Sequence, residues 1–432
     1  MKKEIGVHER PPIGQSFMLS IQHLFAMFGS TVLVPNLLGV DPAVCLLMNG
    51  IGTLLYLWIC KGKIPAYLGS SFAFIAPAGA VIGSHASHEA GYAAALGGFI
   101  VAGLVFTILA WVIGVAGTGW INVVFPPAAM GAIVAVIGLE LVPVAAEMAG
   151  WIAPKTNTKW SPDAGTIALS TITLGVTILG SVLFRGFMRI IPILFGIVAG
   201  YVIACFMGLV NFDLIADKEW FDAPTFTMPA FDWTAILTIV PAALVVIAEH
   251  IGHLIVTGNI INKDLSQDPG LHRSMLGNGL STMLSGFIGS TPNTTYGENI
   301  GVLAITRVYS AFVIGGAAVI AILLSFLGKF SALVANIPLP VMGGVSLMLF
   351  GVIAASGFRM LVESKVDYSR PTNLFLTLIV LITGLSGATI KAGSFSLSGM
   401  ALATVVAIVF SLLFKLFEIT KLSNDNEASP GH

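Results

Sequence analysis

The sequence predicts an all-α polytopic membrane protein. Fourteen transmembrane segments form two inverted 7-span repeats, with spans 3 and 10 each broken into an extended stretch plus a half-helix. Three observations predict this. Of 432 residues, 56% are hydrophobic and only 9% charged, with a mean hydropathy of +0.94, whereas soluble domains carry about 25% charge. The basic residues gather on one side of the predicted membrane, and short motifs recur in the same order in the two halves of the chain. The formal net charge of −1 gives no electrostatic footprint for nucleic acid, so the expected partner surface is a lipid bilayer.

Apolar windows of about 20 residues mark spans near 16–38, 43–60, 93–116, 124–146, 165–184, 190–210 and 234–256. Further ones fall near 274–289, 310–334, 338–358, 373–390 and 398–417. The opening MKKEIGVHERPP is polar, and the run behind it is long enough to be the first span itself, so no cleavable signal is expected. Cys45, Cys60 and Cys205 sit in apolar runs and read as small core residues. Two regions, AYLGSSFAFIAPAGAVIG (66–83) and STPNTTYGENIG (290–301), are too short or too polar for plain spanning helices, and counting both as broken spans gives fourteen.

Charge placement tests that count. With fourteen spans both termini lie on one side, and that side holds fifteen of the twenty Lys and Arg: Lys2, Lys3, Arg10, Lys61, Lys63, Arg185, Arg189, Lys263, Arg273, Arg307, Arg359, Lys365, Arg370, Lys415 and Lys421. Lys155, Lys159, Lys218, Lys329 and Lys391 fall on the other. Cytoplasmic loops carry the basic excess, so both termini are expected in the cytoplasm.

The repeat is read from four matches. NGIGTLL (49–55) answers NGLSTML (278–284) at an offset of 229, and LGSS (68–71) answers IGST (288–291) at 220. FIVAG (99–103) answers FVIGG (312–316) at 213, and PPAAMG (126–131) answers PLPVMG (338–343) at 212. A unit of seven spans is odd, so its second copy is inverted, and in transporters built this way interrupted spans meet at the midplane and form the site. Pro292 and Gly297 interrupt the polar stretch. The following ENIGVLAITR is long enough for about ten helical residues, or roughly 15 Å, half a bilayer, with its N-terminal N–H groups at mid-membrane. Ser70 and Ser71 precede FAFIAP, a second half-helix facing the first.

Three carboxylates lie well inside predicted spans, where charge is expensive and usually functional: Glu140, Glu249 and Glu298. Glu140 has apolar neighbours and lies toward a span end. Glu249 shares a helix face with His253, four residues on, while His250 points about 100° away and reads as a packing residue. Glu298 opens the half-helix, and His23 follows Gln22 in the first span. Two carboxylates and two histidines suit a neutral solute rich in N–H groups, moved together with a proton, better than an anion. Phe72 and Phe74 are placed to stack on a flat ring. An anion transporter of the same inverted-repeat fold is the alternative, and it would be expected to place a basic residue at 249 or 298. A membrane metalloenzyme is the weaker one, because EHIGH is not the HExxH order. No enzyme activity, cofactor or metal is therefore expected, the coupling ion being the proton.

ENIGVLAITR (298–307) fits the signature Glu/Gln/Pro-Asn-x-Gly-x4-Thr-Arg/Lys/Gly, and with Gln22-His23 in the first span it makes the chain resemble the nucleobase–ascorbate transporters, also called nucleobase:cation symporters. The resemblance covers almost the whole chain. It implies a bacterial inner-membrane symporter that imports uracil or a similar nucleobase with protons. It also implies a core domain (1–118 and 233–335) sliding elevator-like against a gate domain (119–212 and 336–420), with a cytoplasmic tail at 421–432. A homodimer through the gate domain is the assembly compatible with it. Residue by residue, it implies that Glu249 and Glu298 bind the ring's N–H edge and that the backbone at Phe72 and Gly297 binds its carbonyl oxygens. Ser30 and Tyr296 then stand at the substrate, Glu249, His253 and His23 handle the proton, and Asn299, Thr295 and Ser71 support the site. Relatives commonly carry Ala at the place of Ser30 and Tyr at that of Phe350, so position 350 here offers no phenol hydroxyl to a proton path.

Overall fold

The computed structural model describes residues 4–154, 160–186, 188–392 and 395–423. Lys2, Lys3, Lys155 and Lys159 of the charge argument, and residues 424–432 of the expected tail, lie outside the described residues.

The described residues are mostly helical. In its first half, α1 (Ile13–Leu38) and α2 (Pro42–Ile59) lead into the short strand β1 (Leu68–Ser70), a single turn at Phe72–Phe74 and α3 (Ile75–Ser84). Then come α4 (His88–Ala116), α5 (Ile121–Val124), α6 (Pro127–Met148), α7 (Ala164–Leu183), α8 (Pro192–Phe206) and α9 (Asp213–Ala216). The second half runs α10 (Trp233–Ile239), α11 (Pro241–Ile261), α12 (Leu271–Ile288), strand β2 (Asn293–Thr295) and α13 (Gly297–Thr306). It closes with α14 (Ala311–Ser325), α15 (Gly328–Ala335), α16 (Leu339–Glu363), α17 (Pro371–Leu385), the hairpin β3 (Thr389–Ala392) and β4 (Phe395–Ser398), and α18 (Gly399–Ile419).

Among the described residues eight helices are long and apolar enough to cross a membrane: α1, α2, α4, α6, α7, α10 joined to α11, α16 and α18. The other expected spans fall on shorter or more polar helices: residues 72–84, α8, α12, α13, α14 and α17. Large apolar side chains face outward, Phe206 at 88% exposed and Trp58 at 77%. A water-soluble surface does not tolerate such side chains in continuous belts; hydrocarbon does.

Local chemistry sets the ends. Asp41 caps α2 by accepting the Ala43 N–H at 2.9 Å, with Pro42 in the first helical position. Gly39 closes α1 in the left-handed conformation at φ +65°. Ser87, Asp163 and Ser310 cap α4, α7 and α14 in the same way as Asp41.

The two broken segments meet. β1 pairs antiparallel with β2, Leu68 opposite Thr295, Gly69 opposite Thr294 and Ser70 opposite Asn293. Backbone at membrane depth must find its hydrogen bonds inside the protein, and helix hydroxyls supply part of them. Leu68 N–H donates to Thr53 Oγ1 at 2.9 Å, and Thr282 Oγ1 donates to the Asn293 carbonyl at 3.0 Å. Gly69 is needed for close approach, because a side-chain carbon there would collide with the Tyr296 ring. Around this centre α4 packs on α12, α2 on α12 and α14, α6 on α16 and α17, α7 on α8 and α16, and α17 on α18.

Several expectations need correction. The 68–71 segment pairs with 293–295, while 288–291 ends α12 and leads into the strand, so the LGSS–IGST match is out of step with the pairing. The expected span 310–334 is two helices. Its break is held by Asp222 N–H donating to the Phe326 carbonyl and Gly328 N–H donating to the Trp220 carbonyl, both at 3.1 Å, so distant backbone replaces the helical bonds. The expected span 373–390 stops at Leu385, and the chain turns into the β3–β4 hairpin, held by a ladder that no local motif announces.

Candidate functional site

The half-helices begin where the strands end. α13 runs ten residues from Gly297, the length expected from the sequence, and stops where Arg307 turns left-handed at φ +58°. Neither Tyr296, its N-cap, nor Ser71, the N-cap of the 72–74 turn, gives a side-chain cap bond. Both helix starts therefore present backbone donors and the positive ends of their dipoles without a bond from the capping side chain, the start of α13 having the Glu298 carboxylate in its first turn.

Beside them lies a cavity of about 450 Å³. Phe72 lines it from one broken segment, and Thr294, Thr295, Tyr296, Gly297 and Glu298 line it from the other. Glu249 and His253 enter from α11, where the i, i+4 spacing sets them on one face. The opposite wall comes from α16, including Met348, Val352, Ser356 and Arg359, with Arg189 and Ile193 near the start of α8.

Each carboxylate has a distinct setting. Glu298 accepts a hydrogen bond from Ser30 Oγ at 2.6 Å, and Ser30 itself is fully buried. Glu249 is 8% exposed, and its Oε2 is enclosed without a hydrogen-bond partner. Burying such an oxygen unpaired is costly, so Glu249 stands beside the cavity with hydrogen-bonding capacity unused. His253 is fixed by a 3.1 Å hydrogen bond between Nδ1 and Thr295 Oγ1. Its Nε2 lies against Gly297: a side-chain carbon at 297 would sit 3.2 Å from it. A side chain at 297 would therefore crowd the His253 ring beside the helix start.

Behind the lining, Tyr296 Oη donates to the Ser70 carbonyl at 3.1 Å, tying the two broken segments together. Asn299 Nδ2 donates to His23 Nδ1 at 3.2 Å and to the His23 carbonyl at 3.0 Å, joining α13 to α1. Ser71 N–H donates to the Pro292 carbonyl at 2.8 Å.

Of the sequence-derived residues, Phe72, Glu249, His253, Thr295, Tyr296, Gly297 and Glu298 converge on this one cavity. Ser30 reaches it through Glu298. His23, Asn299 and Ser71 stand outside its lining, His23 being held behind the half-helix with Nε2 unpartnered. Phe74 is a correction: it is fully buried and meets Phe99 of α4 edge-on at 5.7 Å, so it is core packing and has no face to offer a ring. Phe350 packs edge-on against Phe72 at 5.8 Å. His250 bonds Ser274 Oγ at 2.8 Å beside Tyr56, the packing role expected of it. Sequence reasoning missed the α16 wall, Ser356 above all. A lone serine in an apolar span gives no periodic or motif signal.

Short, broken helices meeting at a largely apolar cavity with two carboxylates, inside an apolar multi-helix body, are the arrangement expected of a membrane permease. Comparison with known proteins agrees. The model of the permease family matches residues 14–393. The uracil permease of Paenibacillus larvae is 63% identical over 98% of this chain and 99% of its own. That of Escherichia coli K12 is 62% identical over 97% and 96%, and that of Bacillus caldolyticus 47% identical over 95% of both chains. The chain belongs to the permease family, the nucleobase transporters it resembles by motif, and these relatives are bacterial uracil permeases.

Solved structures agree on the fold alone. The transmembrane domain of the cyanobacterial bicarbonate transporter BicA superposes with a TM-score of 0.59 at 15% identity, over 98% of this chain and 99% of that one. SLC26A9 superposes with a TM-score of 0.70 at 10% identity, over 94% of this chain and 66% of that longer one.

Proposed function

We propose that this chain imports uracil, or a closely related nucleobase, across the bacterial cytoplasmic membrane together with protons. The observation that carries the reading is the pairing of two carboxylates, Glu249 and Glu298, with two helix starts, at Phe72 and Gly297, around one cavity. Uracil has two N–H donors and two carbonyl acceptors, and carboxylates answer the first while backbone N–H groups answer the second. Phe72 supplies an aromatic wall for the ring. Cytosine would turn an acceptor toward a carboxylate, a mismatch that costs orders of magnitude in selectivity. An anion, the cargo named for one structural neighbour, would meet two carboxylates.

In this scheme Glu249 carries the proton into the cavity with the substrate and gives it up on the cytoplasmic side, with His253 relaying it and His23 supporting the path. The core domain (1–118 and 233–335) slides against the gate domain (119–212 and 336–420), and both termini face the cytoplasm. Fourteen spans in inverted repeats are part of the proposal, and the packing supports them. α2 and α12 are both 18 residues long and lie 229 apart. Exchanging the halves turns the α2–α14 contact into α4–α12 and α7–α16 into α6–α17. The strand register is compatible with a two-fold axis passing between Gly69 and Thr294. A homodimer would form through the gate helices.

Radiolabelled uracil uptake into proteoliposomes, with and without an inward proton gradient, tests the reading. Concentrative uptake is expected only with the gradient, and cytosine should compete at least about a hundredfold worse than uracil. Uptake indifferent to the gradient would remove the coupling, and equal competition by cytosine would remove the proposed ring contacts.

A further inference from the structure

Of the three intramembrane carboxylates, Glu140 is left without a task by the transport scheme. It stands on α6, and its Oε2 accepts the Met400 N–H at 2.7 Å, at the start of α18. Gly399 permits that approach: its φ is +51°, and a side-chain carbon there would run into the Glu140 carboxylate. The same carboxylate faces a second cavity of about 400 Å³. Its walls come from both halves of the proposed machine. Thr234 and Thr238 of α10 and His85 after α3 line the core side, and Glu140, Lys391 and Ser398 line the gate side.

Three elements fix this cavity's place relative to the first. On α6, Val134 lines the first cavity and Glu140 the second, six residues or about 9 Å apart along the axis. On α11, Glu249 lines the first and Ala242 the second, about 10 Å apart. On the turn between the strand and α3, Phe72 faces one and its neighbour Ala73 the other. The cavities are therefore stacked along one line with the 72–74 turn between them. The first reaches Arg189 and Arg359, on the basic-rich side of the charge argument, and the second reaches exposed Lys391 on the opposite side.

We propose that the second cavity is an outer docking subsite for the same uracil-like ring, which it holds before the ring passes to Glu249 and Glu298. A carboxylate accepts several hydrogen bonds, so Glu140 keeps the Met400 N–H and takes a ring N–H as well. The Lys391 ammonium and the hydroxyls of Thr238 and Ser398 face the ring carbonyls. This proposal rests on the nucleobase reading above.

Two variants test it. Glu140→Gln keeps an acceptor for the Met400 N–H but loses the charge, and Lys391→Ala removes an exposed side chain that the fold does not need. Initial-rate uptake of radiolabelled uracil by intact cells samples entry from outside. Calorimetric titration of the purified protein with uracil samples the tighter inner site. Each variant is expected to raise the uptake KM about fivefold, the worth of one net hydrogen bond, while the calorimetric Kd stays at the parent value. An unchanged KM in both variants overturns the subsite. So does a parallel loss in KM and Kd, which would make Glu140 a brace for α18. If the unaltered protein neither binds nor takes up uracil, the nucleobase reading itself fails, and the subsite with it.

Discussion

Replacing Glu298 by alanine separates recognition from scaffolding, because that carboxylate combines the proposed ligand role with the hydrogen bond it accepts from Ser30. As a ligand it offers a charge-assisted acceptor to a ring N–H, worth about 1.5–3 kcal/mol, or roughly 10- to 150-fold in Kd. As a scaffold it accepts the 2.6 Å bond from Ser30 Oγ. Truncation leaves that buried hydroxyl without its acceptor, at about 1–3 kcal/mol of stability. Removing a buried charge offsets part of this cost, so the protein should stay folded with a modestly lower Tm. Glu298→Gln sharpens the comparison: its amide oxygen still receives the Ser30 hydroxyl, yet the side chain no longer carries charge. Isothermal titration with uracil should show at least a tenfold weaker Kd for both variants, while thermal scans should show a deficit for the alanine variant alone. A Kd within threefold of the parent in Glu298→Ala would refute the ligand role.

Two further outcomes follow from the same coordinates. Asn299→Ala removes both bonds to His23; the His23 carbonyl keeps its helical donor within α1, while the buried ring Nδ1 loses its only partner among the described residues. A loss of about 1–3 kcal/mol is expected, read as a drop in Tm, and an unshifted Tm would show that the α1–α13 link bears no weight. Outside the membrane, the Lys63 ammonium lies 2.6 Å from Asp268 and holds that carboxyl below its ordinary range. A depressed carboxyl stabilises the fold above the unfolded pKa of about 3.9 and loses that contribution as pH falls through the folded value. Because both partners are exposed, Asp268→Asn should lower Tm only slightly at pH 7 in low salt. The difference should shrink in high salt and below about pH 4, and a difference that persists there would point to a role other than the ion pair.

The legible parts of this protein are those where chemistry acts locally. Pro292 and Gly297 punctuate a polar stretch, so the ten-residue length of the half-helix α13 can be read from the sequence, with its bounds displaced by one residue. Glu249 and Glu298 stand out because charge within an apolar span is rare and costly, and both line the cavity. What the sequence hides is settled by distant partners. Phe72 and Phe74 look alike as a stacking pair, yet they point to different surroundings, because residues two apart on a helical turn face different ways. Both are buried, but Phe72 lines the cavity and Phe74 packs on Phe99. The break between α14 and α15 needs backbone from residues 220 and 222, about a hundred positions away. Glu140 reads as a charge with apolar neighbours; its actual partner is a backbone N–H on α18.

The central claim, that Glu249 carries the coupled proton, is tested most directly in proteoliposomes reconstituted with Glu249→Gln. The amide keeps the side chain's size and part of its hydrogen bonding but cannot titrate. Uracil accumulation driven by an imposed pH gradient should collapse to the level without a gradient, while counterflow exchange, which needs no net proton movement, should persist in larger part. Accumulation against the uracil gradient with the pH dependence of the parent would contradict the account and move the proton path elsewhere, to His23 first.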